Sequence, residues 1–118
     1  MKKLDLVVFF TIIFFMSCKN EQNYVAPSAP ACIKDLIIQI SKEPVRNPAA
    51  IIIQYQYKNM TVYYIPPFCC DMFGVLMDDQ CNVICLPDGG IVGNGDGSCS
   101  DFAKKATHRN IIWEDDRK

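Results

Sequence analysis

The chain has 118 residues, of which half are hydrophobic, and its twelve basic and thirteen acidic side chains give a formal net charge of −1. This balance argues against a nucleic-acid partner, because binding to phosphates depends on an excess of Lys and Arg. The length is sufficient for one small domain with a modest hydrophobic core.

The N-terminal sequence predicts a bacterial lipoprotein signal. Two lysines precede an apolar run of eleven residues from Leu6 to Met16, and Ser17 and Cys18 follow it. The run is too short to cross a bilayer as a helix, which takes about 20 residues. A basic start, a short apolar segment and a small residue before the cleavage site are typical of an export signal. We therefore expect Cys18 to be lipidated and to become the mature N-terminus.

These features predict three segments: a signal peptide (1–17), a polar, proline-containing tether (18–31) and a single small domain (32–118). No Asp directly follows Cys18, which favours the outer membrane, so we expect a lipid-anchored protein of the cell envelope that is either periplasmic or surface-exposed. Phe15 and Met16 depart from the usual lipoprotein motif. Cleavage without lipidation and an uncleaved structural segment therefore remain alternatives.

The cysteine count supports export independently. Removing Cys18 leaves six cysteines, an even number that indicates a disulfide framework in a small exported domain: Cys32, Cys69, Cys70, Cys81, Cys85 and Cys99. Six cysteines allow 15 pairings. We expect no bridge between the adjacent Cys69 and Cys70, because such a bridge would be strained. Zinc ligation is a weaker alternative, since thiolates bind zinc mainly where cysteines stay reduced.

The mature chain then predicts an α+β fold, with one N-terminal helix packed on a short antiparallel sheet of hairpins. Apolar residues at helical spacing predict a helix from Ala31 to Lys42 that Pro44 ends. β-branched and aromatic residues predict a strand over Ala50 to Tyr57 and its return over Met60 to Ile65.

Three further segments follow in the chain. A second hairpin is predicted from Phe73 to Met77 and from Val83 to Leu86. Gly and Asp dominate residues 87–100, which predicts consecutive turns. The apolar residues Ile111 to Trp113 predict a closing edge strand. The aromatic side chains of the strands are expected mainly in the core, with a stacking platform for sugars or peptides as the alternative: Tyr55, Tyr57, Tyr63, Tyr64 and Trp113.

Several of these motifs resemble an uncharacterised family of small Bacteroidota lipoproteins, a domain of unknown function. The resemblance is carried by Cys69-Cys70-Asp71, by the run from Asn82 to Gly90, by Gly93 to Gly97, and by Cys99 and Asp101-Phe102. It implies an exported lipoprotein with one compact domain. It implies no substrate, cofactor or active-site residue.

The acidic glycine-rich segment is the candidate for a calcium site, with these residues as the possible ligands: Asp88, Asn94, Asp96 and Asp101. Calcium takes six to eight oxygen ligands. The helix–loop–helix calcium pattern fails here, because its sixth and twelfth positions, counted from Asn94, are Cys99 and Lys105. We therefore expect mainly turns in this segment and no cofactor, with calcium in another geometry as the alternative.

No catalytic group stands out in the sequence. The only histidine, His108, lies in a basic stretch typical of a solvated surface, and no reactive C-x-x-C motif is present. The leading interpretation is a non-enzymatic binding or structural module, anchored in the membrane by lipid, with an unknown protein or glycan partner. The alternative is a calcium-binding module or calcium-dependent enzyme, and a weaker one is a protease inhibitor.

Overall fold

A computed structural model describes residues 25–118, so the predicted signal peptide and the lipidation site Cys18 lie outside the described residues. In this range an antiparallel sheet of five strands is combined with two helices, which confirms the α+β prediction. The elements in chain order are α1 (Ala31–Ser41), β1 (Ile51–Tyr57), β2 (Met60–Ile65), β3 (Val75–Met77), β4 (Val83–Cys85), α2 (Phe102–Lys105) and β5 (Thr107–Glu114). The strand order across the sheet is β4-β3-β2-β1-β5.

The β1–β2 hairpin forms as predicted. Tyr57 pairs with Met60 at its closed end, and the two turn residues Lys58 and Asn59 have φ values of 49° and 60°. Left-handed backbone at both turn positions suits the twist of two paired strands, and Asn tolerates it better than most residues. Strand β5 pairs with β1 on the outside of the sheet, which confirms the predicted edge strand.

One face of the sheet is covered by what we call the helix layer, formed by α1 and residues 25–30. Ile33, Ile37 and Ile40 of α1 are buried against the sheet, as their spacing predicts. Ala26 and Ala29 are also buried, and the Ala26 N–H donates a hydrogen bond to the Ile112 carbonyl over 3.1 Å. The packed domain therefore includes residues that the sequence prediction placed in the tether.

The opposite face is covered by what we call the loop layer, residues 86–106. It consists of the glycine-rich segment, whose turns are confirmed, and of the short helix α2, which the sequence did not predict. Phe102 of α2 is buried, with its ring centroid 5.3 Å from that of Tyr55 and 5.4 Å from those of Tyr57 and Tyr64. These contacts place the tyrosines of β1 and β2 under the loop layer.

The second predicted hairpin exists but is shorter than expected. Residues before Val75 leave the sheet because Phe73 bridges to Gly89 and the Gly74 N–H donates to the Asp88 carbonyl. Gly89 has a φ of 81°, and a Cβ there would lie 2.3 Å from the Met72 carbonyl oxygen. Only glycine fits this close approach, so the two residues before β3 pair with the loop layer instead of with β4.

Arg117, close to the last residue of the chain, binds the C-terminal end of α1. Arg117 donates hydrogen bonds to the carbonyl oxygens of Ile40, Ser41 and Glu43, which lie at or beyond the last turn of the helix. Its guanidinium also lies 2.7 Å from the buried carboxylate of Asp115, and this pairing lowers the Asp115 pKa. A cation at a helix C-terminus is favourable because the helix dipole is negative there.

Candidate functional site

Three disulfides join the six cysteines of the described domain. Cys32–Cys81 connects α1 to the β3–β4 turn, and Cys85–Cys99 connects β4 to the loop layer. The third bridge joins the adjacent Cys69 and Cys70, so our expectation that this pair would not form was wrong. The chain bends there, with a φ of 59° at Cys70 and a hydrogen bond from the Met72 N–H to the Cys69 carbonyl. All six thiols are bridged, which leaves none of them for zinc.

The first acidic side chain of the predicted metal set, Asp88, is bonded to the sheet. Its Oδ2 accepts a hydrogen bond from the Tyr64 hydroxyl, while its Oδ1 is buried and has no hydrogen-bond partner among residues 25–118. A Cβ at Gly74 would lie 2.0 Å from that Oδ1, so the absence of a side chain at Gly74 makes room for the carboxylate. Burial, and next the Asp88 carboxylate, raise the Tyr64 pKa above its usual range.

A second tyrosine–carboxylate pair holds the other end of the loop layer. The Tyr57 hydroxyl donates to Asp101 Oδ1 over 2.5 Å, and Lys105 Nζ lies 3.3 Å from Asp101 Oδ2. The hydrogen bond from Tyr57, with help from Lys105, lowers the Asp101 pKa, while burial is the main cause of a raised Tyr57 pKa. The two pairs flank Phe102 and fix the loop layer on the sheet.

The remaining members of the predicted metal set lie in turns. Asp96 accepts hydrogen bonds from the backbone N–H groups of Ser98 and Leu86 over 2.9 and 3.2 Å, and these bonds lower its pKa. Asn94 is exposed, and its backbone bridges to Gly89. Each carboxylate is thus bonded to a different part of the domain. Across residues 25–118, no group of three or more His, Cys, Asp or Glu side chains is arranged to hold a metal ion.

The other candidates from the sequence have ordinary surroundings. His108 is exposed and its Nδ1 lies 3.0 Å from the hydroxyl of the neighbouring Thr107. Among the strand aromatics, Tyr57, Tyr63 and Trp113 are buried, as expected of core residues. Tyr55 and Tyr64 are half-buried against Phe102, so they do not form an open stacking platform.

One exposed apolar patch was not predicted from the sequence, and we define it as Met72, Phe73, Ile91 and Val92. Ile91 and Val92 are 91% and 81% exposed at the tip of the glycine-rich segment, and Phe73 is 44% exposed. Together with Asp71, these three residues line a cavity of about 300 Å³. The one signal in the sequence was an apolar pair between glycines, in a segment otherwise made of turn residues.

Most of this domain matches a known protein family. A family model described as a domain of unknown function (DUF6970) matches residues 38–115, from within α1 to just beyond β5. The chain belongs to this family. The match confirms the resemblance to an uncharacterised family and gives no activity. No curated protein and no solved structure matches the chain.

Proposed function

We propose that this member of the DUF6970 family is a lipid-anchored protein of the bacterial cell envelope whose domain binds a partner and catalyses no reaction. The lipoprotein signal that ends at Cys18 supports the anchor, and three disulfides in the domain fit an oxidising compartment outside the cytosol. Within residues 25–118, no helix has the length and apolar character needed to span a membrane.

The exposed apolar patch is the observation that carries the binding role. Exposed apolar side chains that form a larger patch mark interaction sites, whereas single ones are ordinary on a protein surface. The carboxylates of the loop layer, by contrast, are engaged in fixing the fold: Asp88 and Asp101 accept from tyrosines, and Asp96 accepts from the backbone. Groups used in this way favour a scaffold over a general acid–base pair.

The anchor is tested by replacing Cys18 with Ser in the full chain and following a fatty-acid label in the producing cells. We expect the label to be lost and the signal peptide to be retained, because a hydroxyl does not replace the thiol in lipid transfer. Ser17→Ala, which keeps a small residue at the neighbouring position, serves as the matched control and should remain labelled. Equal labelling of Cys18→Ser and of the unchanged chain would contradict the anchor.

Calcium remains a second proposal, and it has its own test. Thermal unfolding in millimolar calcium and in excess chelator should give the same midpoint if the acidic side chains only make turns. A midpoint that rises with calcium and loses this response in Asp96→Asn would favour the calcium-binding alternative.

A protease inhibitor, the weakest alternative, would slow at least one secreted protease in a stoichiometric titration.

A further inference from the structure

We infer that the apolar patch, with Asp71 beside it, binds a segment of a partner protein in which a Lys or Arg lies next to a bulky apolar side chain. This inference rests on the proposed binding function and names the chemistry of the partner. It follows from three properties of the loop tip: its exposure, its backbone rigidity and its charge.

The patch combines a concave site with protruding side chains. The Phe73 ring lies against Gly90, where an added Cβ would be 2.6 Å from the ring, and the cavity of about 300 Å³ opens between Phe73 and the Ile91-Val92 pair. The cavity is large enough to receive an apolar side chain of a partner. Ile91 and Val92 make little contact with their own domain, so burial against a partner would remove their apolar surface from water.

The backbone holds this surface in place before any partner arrives. The Gly90 N–H donates to the Met72 carbonyl over 3.1 Å, the Gly93 N–H to the Gly90 carbonyl over 3.2 Å, and the Gly95 N–H to the Gly89 carbonyl over 3.1 Å. These bonds frame Ile91 and Val92 on both sides. A surface that is already ordered loses less conformational entropy on binding, which favours affinity.

The charge beside the patch selects a cationic partner. Asp71 is exposed and lines the cavity, and no hydrogen bond or ion pair engages its carboxylate among residues 25–118. From Asn59 to Ala103 the chain contains six Asp and no Lys or Arg. Arg46, which lies over the Phe68 ring, is already paired with Glu43 over 2.7 Å. A Lys or Arg of the partner would therefore complement Asp71.

The same charge argues against the bilayer as the occupant. Loops that insert into membranes usually combine apolar side chains with Lys or Arg that bind anionic lipid headgroups. Here the neighbouring charge is a carboxylate, which anionic headgroups repel. A second copy of this chain could present its own Lys104-Lys105 stretch, and the experiment below separates that outcome from a different protein.

The test is photo-crosslinking of the full chain in its own cells, with p-benzoylphenylalanine in place of Ile91 and, as the control, in place of Ile38. Ile38 is also exposed, at 54%, but lies on α1. We expect an adduct with one protein from position 91 alone, mapped by mass spectrometry to a segment that carries Lys or Arg next to an apolar residue. Asp71→Lys should lower its yield about tenfold, because the new Lys would repel the Lys or Arg of the partner. Asp79→Lys makes the same charge change in the β3–β4 turn and should leave the yield unchanged.

The identity of the adduct would overturn the inference if it were phospholipid only, a second copy of this chain, or a partner segment without Lys or Arg. The yield would overturn it if positions 91 and 38 gave equal amounts, if position 91 gave no adduct, or if Asp71→Lys left the amount unchanged. Fatty-acid labelling of Cys18 in the same cells separates the two proposals. A labelled protein whose adduct maps to a segment without Lys or Arg contradicts the inference and leaves the proposed binding function standing. A labelled protein with no adduct from position 91 contradicts the binding function of the patch as well. An unlabelled protein contradicts the proposed anchor, whatever the adducts are.

Discussion

The helix layer and the loop layer cover opposite faces of one sheet by different physical means. The helix layer is regular, and three isoleucines at helical spacing bury its apolar stripe. The loop layer has little regular structure: it depends on the Cys85–Cys99 bridge, two tyrosine–carboxylate pairs and one central aromatic ring. The difference indicates that a glycine-rich segment, which does not form a long helix, can cover a sheet face with cross-linked turns. Such turns leave the apolar side chains at their tip exposed.

The largest effect should come from removing the central ring of the loop layer. Phe102→Ala should lower the free energy of unfolding by about 3–5 kcal/mol, because a buried ring is lost and a cavity remains between the tyrosines. Urea unfolding measures the change. Ile38→Ala, at an exposed position of the helix layer, should change it by less than about 0.5 kcal/mol. A small loss for Phe102→Ala would mean that the loop layer contributes little to the core.

Two of the disulfides should stabilise the two layers separately. Loop-closure entropy predicts about 4 kcal/mol for Cys32–Cys81, whose partners are 49 residues apart, and about 3 kcal/mol for Cys85–Cys99, whose partners are 14 residues apart. To test which bridge stabilises more, both cysteines of each bridge are replaced by Ser in turn, and the free energy of unfolding in urea is measured. Amide exchange should show faster opening of residues 86–100 only when Cys85–Cys99 is removed. Equal increases in amide exchange of both layers in either variant would show that the two disulfides do not stabilise the layers separately.

The hydrogen bond between Tyr64 and Asp88 should contribute less to the free energy of unfolding than either of these two disulfides. Tyr64→Phe keeps the ring and removes the donor, which leaves both oxygens of a partly buried carboxylate without a protein partner, at a cost of about 1–3 kcal/mol. Tyr55→Phe, in the same aromatic cluster, is the matched control and should change the free energy of unfolding by about 0.5 kcal/mol or less. If the two variants are equally stable, the hydrogen bond to Asp88 does not hold the loop layer.

The smallest effect should appear as a pH dependence of stability. The pKa of Asp101 is lowered in the folded protein, chiefly by the hydrogen bond from Tyr57. Its contribution to the free energy of unfolding is therefore fully present above the unfolded pKa of about 4, and it is lost as the pH falls through the folded pKa. Urea midpoints measured from pH 6 downwards should therefore decline below about pH 4. In Asp101→Asn this decline should be shallower. An unchanged slope would show that Asp101 does not couple protonation to folding.

The two layers also differ in how far the sequence predicted them. Periodicity located α1 to within one residue at its C-terminus and both strands of the first hairpin, because each signal lies within one local segment. The loop layer depends on contacts between distant positions, such as Asp88 with Tyr64 and Asp101 with Tyr57. No local period encodes such pairs. For the same reason the sequence did not reveal that Asp88 and Asp101 accept hydrogen bonds from different tyrosines.

The lipid anchor and the disulfides can be examined together by mass spectrometry of the protein, purified from envelopes without reductant. We expect an N-terminal peptide that begins at an acylated Cys18, and no free thiols. The bridges should join Cys32 to Cys81, Cys69 to Cys70 and Cys85 to Cys99. Retention of Met1, or six free thiols in the domain, would contradict a lipid-anchored, disulfide-linked envelope protein.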